Sequence, residues 1–134
     1  MKQTAFLTVV FLTVTSASIF AALGNTENEV ADLFGKPTDV GLPDNKGVST
    51  NLYQKGDYVI LVQFLRHLSL AESYTRKDQH ELSPREIDAF LEGSSNERAW
   101  IKDPNKLEWE RDDHKAKAWC QTIGGRPTLL IQAK

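Results

Sequence analysis

One cysteine, three histidines and a scatter of carboxylates are the side chains of this 134-residue chain with the reach to do chemistry. The cysteine, Cys120, stands in "AWCQTIGGRPTLLI", residues 118–131, with Pro127 just beyond a Gly-Gly turn. A Cys-x-x-Cys redox pair would place its second thiol at position 123, which is Ile123. A Cys–His nucleophile would need His67, His80 or His114 as base. All three lie in segments that read as turns, and no spacing ties any of them to Cys120. Read as a strand, "AKAWCQTI" puts Ala116, Ala118 and Cys120 on one face and Lys117, Trp119 and Gln121 on the other. A cysteine aligned with two alanines is expected to be a small buried hydrophobe rather than a thiolate.

The carboxylates give little more. Glu108 and Glu110 flank Trp109 as acids flank the aromatic of a sugar site. Alternation sends both to one face, however, with Leu107, Trp109 and Arg111 on the other, which is an ordinary strand with Trp109 packed inward. Glu72 shares a face with Leu70 and Tyr74, opposite Ser69, Ala71 and Ser73. It is either a buried, perturbed carboxylate or, as expected here, a hydrated residue on a mixed outer face. Asp112-Asp113-His114 reads as a solvated hairpin turn, and the histidines show no metal-ligand spacing. No glycine-rich phosphate loop, GxSxG elbow or HExxH motif is present, so the chain implies no metal and no cofactor.

Helix and turn signals then say what would position these groups. Thr26-Glu27-Asn28-Glu29 forms a capping box ahead of Val30, Leu33 and Phe34, and Gly35 and Pro37 stop the helix, predicting residues 27–34. "LSPREIDAFLEG" repeats the pattern, with Ser83 as N-cap, Pro84 at the first turn, Glu86 closing the box, and a stripe of Ile87, Phe90 and Leu91. Between them, strands are expected around Leu52-Tyr53, over 58–65 and over 69–76; "YVILVQFL" is apolar on both faces, as in a central strand covered on each side. "KLEWER", "KAKAWCQTI" and "TLLIQ" supply further strands, and Trp100-Ile101 is expected to fold back onto the core. Both halves show a capped helix ahead of strands, a pattern compatible with a duplicated helix-plus-meander unit.

The N-terminus carries an address. Met1-Lys2 precedes an apolar run from Ala5 to Leu23, and no acid occurs before Glu27. Small residues at Ala22 and Gly24 suit cleavage of a secretory signal peptide after residue 24, leaving residues 25–134 as a single domain. Loss of Lys2 takes the net charge from −2 to −3, a balance that favours neither nucleic acid nor an anionic membrane surface. A lone cysteine cannot make an internal disulfide, so packing must hold the domain.

The helix ending "LFGKP", the tyrosine-bearing strand after it and "VQFLRHLSL", within residues 26–75, resemble the SmpA/OmlA (BamE-like) group of small envelope domains. The repeated helix-plus-sheet form is also similar to the β-lactamase inhibitory protein type, and the second half resembles small secreted bacterial proteins. No lipobox cysteine follows the apolar run. The resemblance implies a non-enzymatic envelope domain and assigns no site residues.

These observations lead to an α+β domain, two short helices packed on an antiparallel sheet of five or six strands. The function expected is that of an exported, periplasmic or secreted, protein-binding module: an assembly factor, an inhibitor or an accessory protein. Its partner would be another envelope or secreted protein, with no nucleic acid and no stable membrane insertion once the leader is gone. Tyr53, Tyr74, Trp100 and Trp119 are the candidate anchors, because aromatics beyond the needs of the core mark interfaces. The alternative is a small exported hydrolase or thiol enzyme using Cys120 or Glu72.

Overall fold

The structure, a computed structural model, describes residues 23–134; the leader expected over 1–24 lies almost wholly outside the described residues. Helix α1 spans Glu27–Phe34 and is followed by strands β1 (Asp39–Val40), β2 (Val48–Lys55), β3 (Tyr58–Leu65) and β4 (Leu68–Arg76). Helix α2, Pro84–Gly93, is followed by β5 (Trp100–Lys102), β6 (Glu108–Arg111), β7 (Ala116–Ile123) and β8 (Arg126–Ala133). All eight strands form one antiparallel sheet in the order β1-β2-β3-β4-β8-β7-β6-β5. The expectation of five or six strands is therefore corrected to eight in a mostly β fold. Each half is a helix and a four-strand meander, and the halves meet where β4 pairs with β8, Ala71–Thr75 against Thr128–Gln132.

Both helices begin as their sequences dictate. Thr26 accepts from the Glu29 backbone at 3.3 Å while Glu29 Oε1 accepts from the Thr26 N–H at 2.9 Å. Ser83 and Glu86 do the same at 3.1 and 2.8 Å, with Pro84 in the first turn where a missing N–H costs nothing. Such caps contribute about 1 kcal/mol each. The rest comes from burial: Val30 and Phe34 of α1, and Ile87, Phe90 and Leu91 of α2, join Tyr53, Ile60, Val62, Phe64, Leu129 and Ile131 in one core.

Tyr74 sits at the centre of that core. Its ring stacks on Phe90 of α2 at 4.1 Å between centroids and meets Phe34 of α1 edge-on at 6.3 Å. Both helices thus lie on one face of the sheet and share a single aromatic contact on β4. At the sheet's other extreme, β1 approaches β2 so closely that a Cβ on Gly41 would stand 2.6 Å from the Thr50 carbonyl oxygen, which no side chain tolerates.

One irregularity decides which residues share a face. A bulge between β3 and β4 pairs Phe64 with Ser69 and Gln63 with Ala71, leaving Leu70 as the extra residue. Simple alternation placed Ser69 opposite Glu72; the bulge turns Ser69 to the helix side, where Ser69, Glu72 and Tyr74 are all buried.

Candidate functional site

The groups that could do chemistry fall at separate places in the fold. Cys120 is half-buried on the helix side of β7, and burial, with a smaller contribution from the charge of Glu81, pushes its thiol up from its ordinary value. The cavity beside it, about 210 Å³, is lined by Leu82, Ile87, Leu107 and Pro127 among others and holds no histidine. His67, His80 and His114 lie on exposed turns against Glu27, Asp78 and Glu110. Among the described residues no three His, Cys, Asp or Glu side chains converge as a metal site.

Glu72 is not hydrated. It is 2 % exposed, and its Oε1 accepts from the Tyr74 hydroxyl at 3.0 Å and the Ser94 hydroxyl at 3.3 Å. Burial, and then the Glu72 charge, raises the Tyr74 phenol well above its usual value. The sequence expectation of a mixed outer face fails because α2 and the loop after it, carrying Ser94, cover this part of β4. A carboxyl group held this way positions the loop after α2.

The aromatic candidates separate. Tyr53 and Tyr74, 1 % and 0 % exposed, belong to the core and have no surface to offer a partner. Trp100 is half-buried, and its indole N–H donates to the Leu91 carbonyl at 2.7 Å, tying β5 to the end of α2. Trp119 alone lies on the opposite face, half-buried, its N–H donating to Gln121 at 3.0 Å and the Lys117 ammonium 5.0 Å from its ring centre.

That opposite face is the candidate site. Among the described residues no helix covers it, and β3 is not covered on both sides as its apolar sequence led us to expect: Ile60, Val62 and Phe64 are buried whereas Leu61 is 42 % exposed. Between the hairpin tips, the open-side residues of β2, β3, β4 and β8 carry no ionisable side chain. Their pairing sets one continuous row across seven strands. Asp39 faces Leu52, Leu52 faces Leu61, Leu61 faces Ser73, Ser73 faces Leu130, Leu130 faces Trp119, and Trp119 faces Glu108. Rows of amides and hydroxyls flank it, with Thr50, Gln63 and Gln132 on one side and Thr75, Thr128 and Gln121 on the other. Beyond Trp119 the face deepens into an open cleft of about 660 Å³ lined in part by Ile101, Glu108, Lys117 and Trp119. Sequence reasoning placed Trp119 opposite the Cys120 face but did not single out Leu52, Leu61 and Leu130, because a strand apolar on both sides gives no sign of which side lacks a cover.

No family model matches the chain, and no curated protein sequence matches it. Among solved structures it is similar to a cysteine-rich secretory protein (SAV1118) from Staphylococcus aureus, with a TM-score of 0.50 and 11% identity over 84% of this chain and 44% of that one. It is also similar to a DUF4309 family protein (YjgB) from Bacillus subtilis, at a TM-score of 0.44 and 15% identity over 82% and 79% of the two chains. An extracellular protein containing an SCP domain, from Bacillus anthracis, gives 0.48 and 10% over 84% and 44%. The chain spans less than half the length of the staphylococcal protein, and the likeness shows a shared fold alone. None of these structures is of the SmpA/OmlA or β-lactamase inhibitory protein type, so that resemblance gains no support from them. No helix among the described residues is long and apolar enough to cross a membrane.

Proposed function

We propose that the protein is an exported, non-catalytic binding module whose uncovered sheet face docks another envelope or secreted protein. The observation that carries this reading is the charge-free central part of that face, with Leu52, Leu61 and Leu130 in line with Trp119. Contiguous apolar surface rimmed by polar residues marks interaction sites, and central aromatics contribute most to such contacts. The apolar leader sequence supports export, and the secretory fold neighbour is consistent with it. The raised thiol of Cys120 and the fully engaged carboxylate of Glu72 favour binding over the thiol-enzyme or hydrolase alternative.

The test is site-specific crosslinking in producing cells. A photoreactive residue at Gln63, on the open face, should yield one adduct of defined mass, and the same residue at Asp88, exposed on α2, should not. Adding Leu61→Asp should abolish the adduct. No adduct at position 63, or equal adducts at both positions, would remove this face as the docking surface.

A further inference from the structure

Resting on that reading of the open face, we propose that its occupant is an amphipathic α-helix of the partner, laid across the strands along the Leu52–Trp119 row, with an aliphatic side chain on each turn and a basic residue at either end. The spacing selects a helix. Row residues stand one strand apart, about 4.8 Å, and a helix presents one side chain to a face every 5.4 Å, so the mismatch over the four steps from Leu52 to Trp119 is about 2.4 Å. An extended segment presents a side chain to one face about every 6.8 Å and would be out of step by roughly 8 Å over the same distance. Pairing at an edge is a poor alternative route, since the edge strands β1 and β5 have only two and three residues.

Charge fixes the ends. The row terminates in Asp39 and Glu108, and neither takes part in an ion pair among the described residues. They are six strands apart, about 29 Å, the length of a helix of roughly 19 residues. Lysine or arginine side chains, with their long stems, reach both acids from a helix a turn shorter. Between those ends the flanking amides and hydroxyls, Gln63 and Gln132 on one side and Thr75 and Gln121 on the other, meet the polar shoulders of the helix, and Lys117, which faces Gln132, is the cation flanking the row on β7.

The experiment uses the purified protein and two synthetic 17-residue peptides that share a leucine stripe at alternating three- and four-residue spacing, one ending in lysines and one in glutamates. Calorimetry should show the lysine-ended peptide binding at least about tenfold more tightly, with the preference shrinking at high salt. Leu61→Asp and, independently, Trp119→Ala should each weaken it about tenfold or more, and Asp39→Lys with Glu108→Lys should reverse the preference. Melting curves of each variant check that the fold is intact. Failure of both peptides to bind, equal binding of the two, or binding indifferent to Leu61→Asp would overturn the helix proposal. A crosslink at Gln63 that persists alongside such a failure leaves the docking face standing and discards only the helix; loss of both discards both.

Discussion

Replacing Glu72 by alanine takes the acceptor away from two buried hydroxyls, those of Tyr74 and Ser94. Each buried donor left without a partner costs about 1–3 kcal/mol, so the substitution should destabilise the protein by roughly 2–6 kcal/mol. That is a large part of the 5–15 kcal/mol typical of a domain. Tyr74→Phe alone removes one hydrogen bond to a charged acceptor and should cost about 1.5–3 kcal/mol. In the Glu72→Ala background the same change removes an orphaned hydroxyl and should be neutral or stabilising. The cycle therefore predicts a coupling of at least about 1.5–3 kcal/mol, in the upper part of the range for residues in contact. Urea unfolding of the four proteins at neutral pH, followed by circular dichroism, measures it directly. Additivity within about 0.5 kcal/mol would refute the hydrogen bond, and with it the view that Glu72 is architectural.

Three further outcomes follow from the same groups. All three tyrosines are shifted upward: Tyr58 to about 12 by burial and then by its hydrogen bond to Glu86, Tyr53 upward by burial, and Tyr74 well upward by burial and Glu72. Their folded-state values lie above those of the unfolded chain, so their contribution is complete below about pH 10 and is lost as pH rises through the folded values; phenolate absorbance should stay low at pH 10 and then rise together with unfolding. Cys120 should react with a disulfide reagent at neutral pH at least about tenfold more slowly in the folded protein than in urea, and equal rates would contradict the burial that raises it. The Arg111 guanidinium donates to Asp113 at 2.9 Å and holds its carboxyl at about 2. That depression makes a contribution present above about pH 4 and lost as pH falls through about 2, so Asp113→Asn should lower Tm at pH 6 by a few degrees and the gap should close between these limits.

Legibility followed the origin of each signal. The helices were readable because caps and stripes are local: the expected 27–34 is the observed α1, and Ser83, Pro84 and Glu86 open α2. The β6–β7 hairpin was readable from alternation on either side of Asp112-Asp113-His114. Strands β1 and β5 were not, since two or three residues carry no periodicity and are defined only by the neighbour they pair with. The fate of Glu72 depended on Ser94, 22 residues away, and on a bulge that has no sequence signature. Of the binding candidates, Trp119 could be placed by alternation relative to Cys120, while Tyr53 and Tyr74 look the same in sequence whether they face helices or water.

The seam between β4 and β8 has a consequence for how the molecule comes into being. Ala71 pairs with Gln132 and Thr75 with Thr128, so the sheet's central contact joins segments more than fifty residues apart, with β8 behind every other described strand in the chain. The β2–β3–β4 meander can form early and locally, but its inner edge on β4 stays open until residues 126–133 arrive. Closing so long a loop is slow and entropically costly, and it is the kind of step that sets the rate of folding. A chain wired in this order remains pliant until its last strand arrives and becomes rigid late.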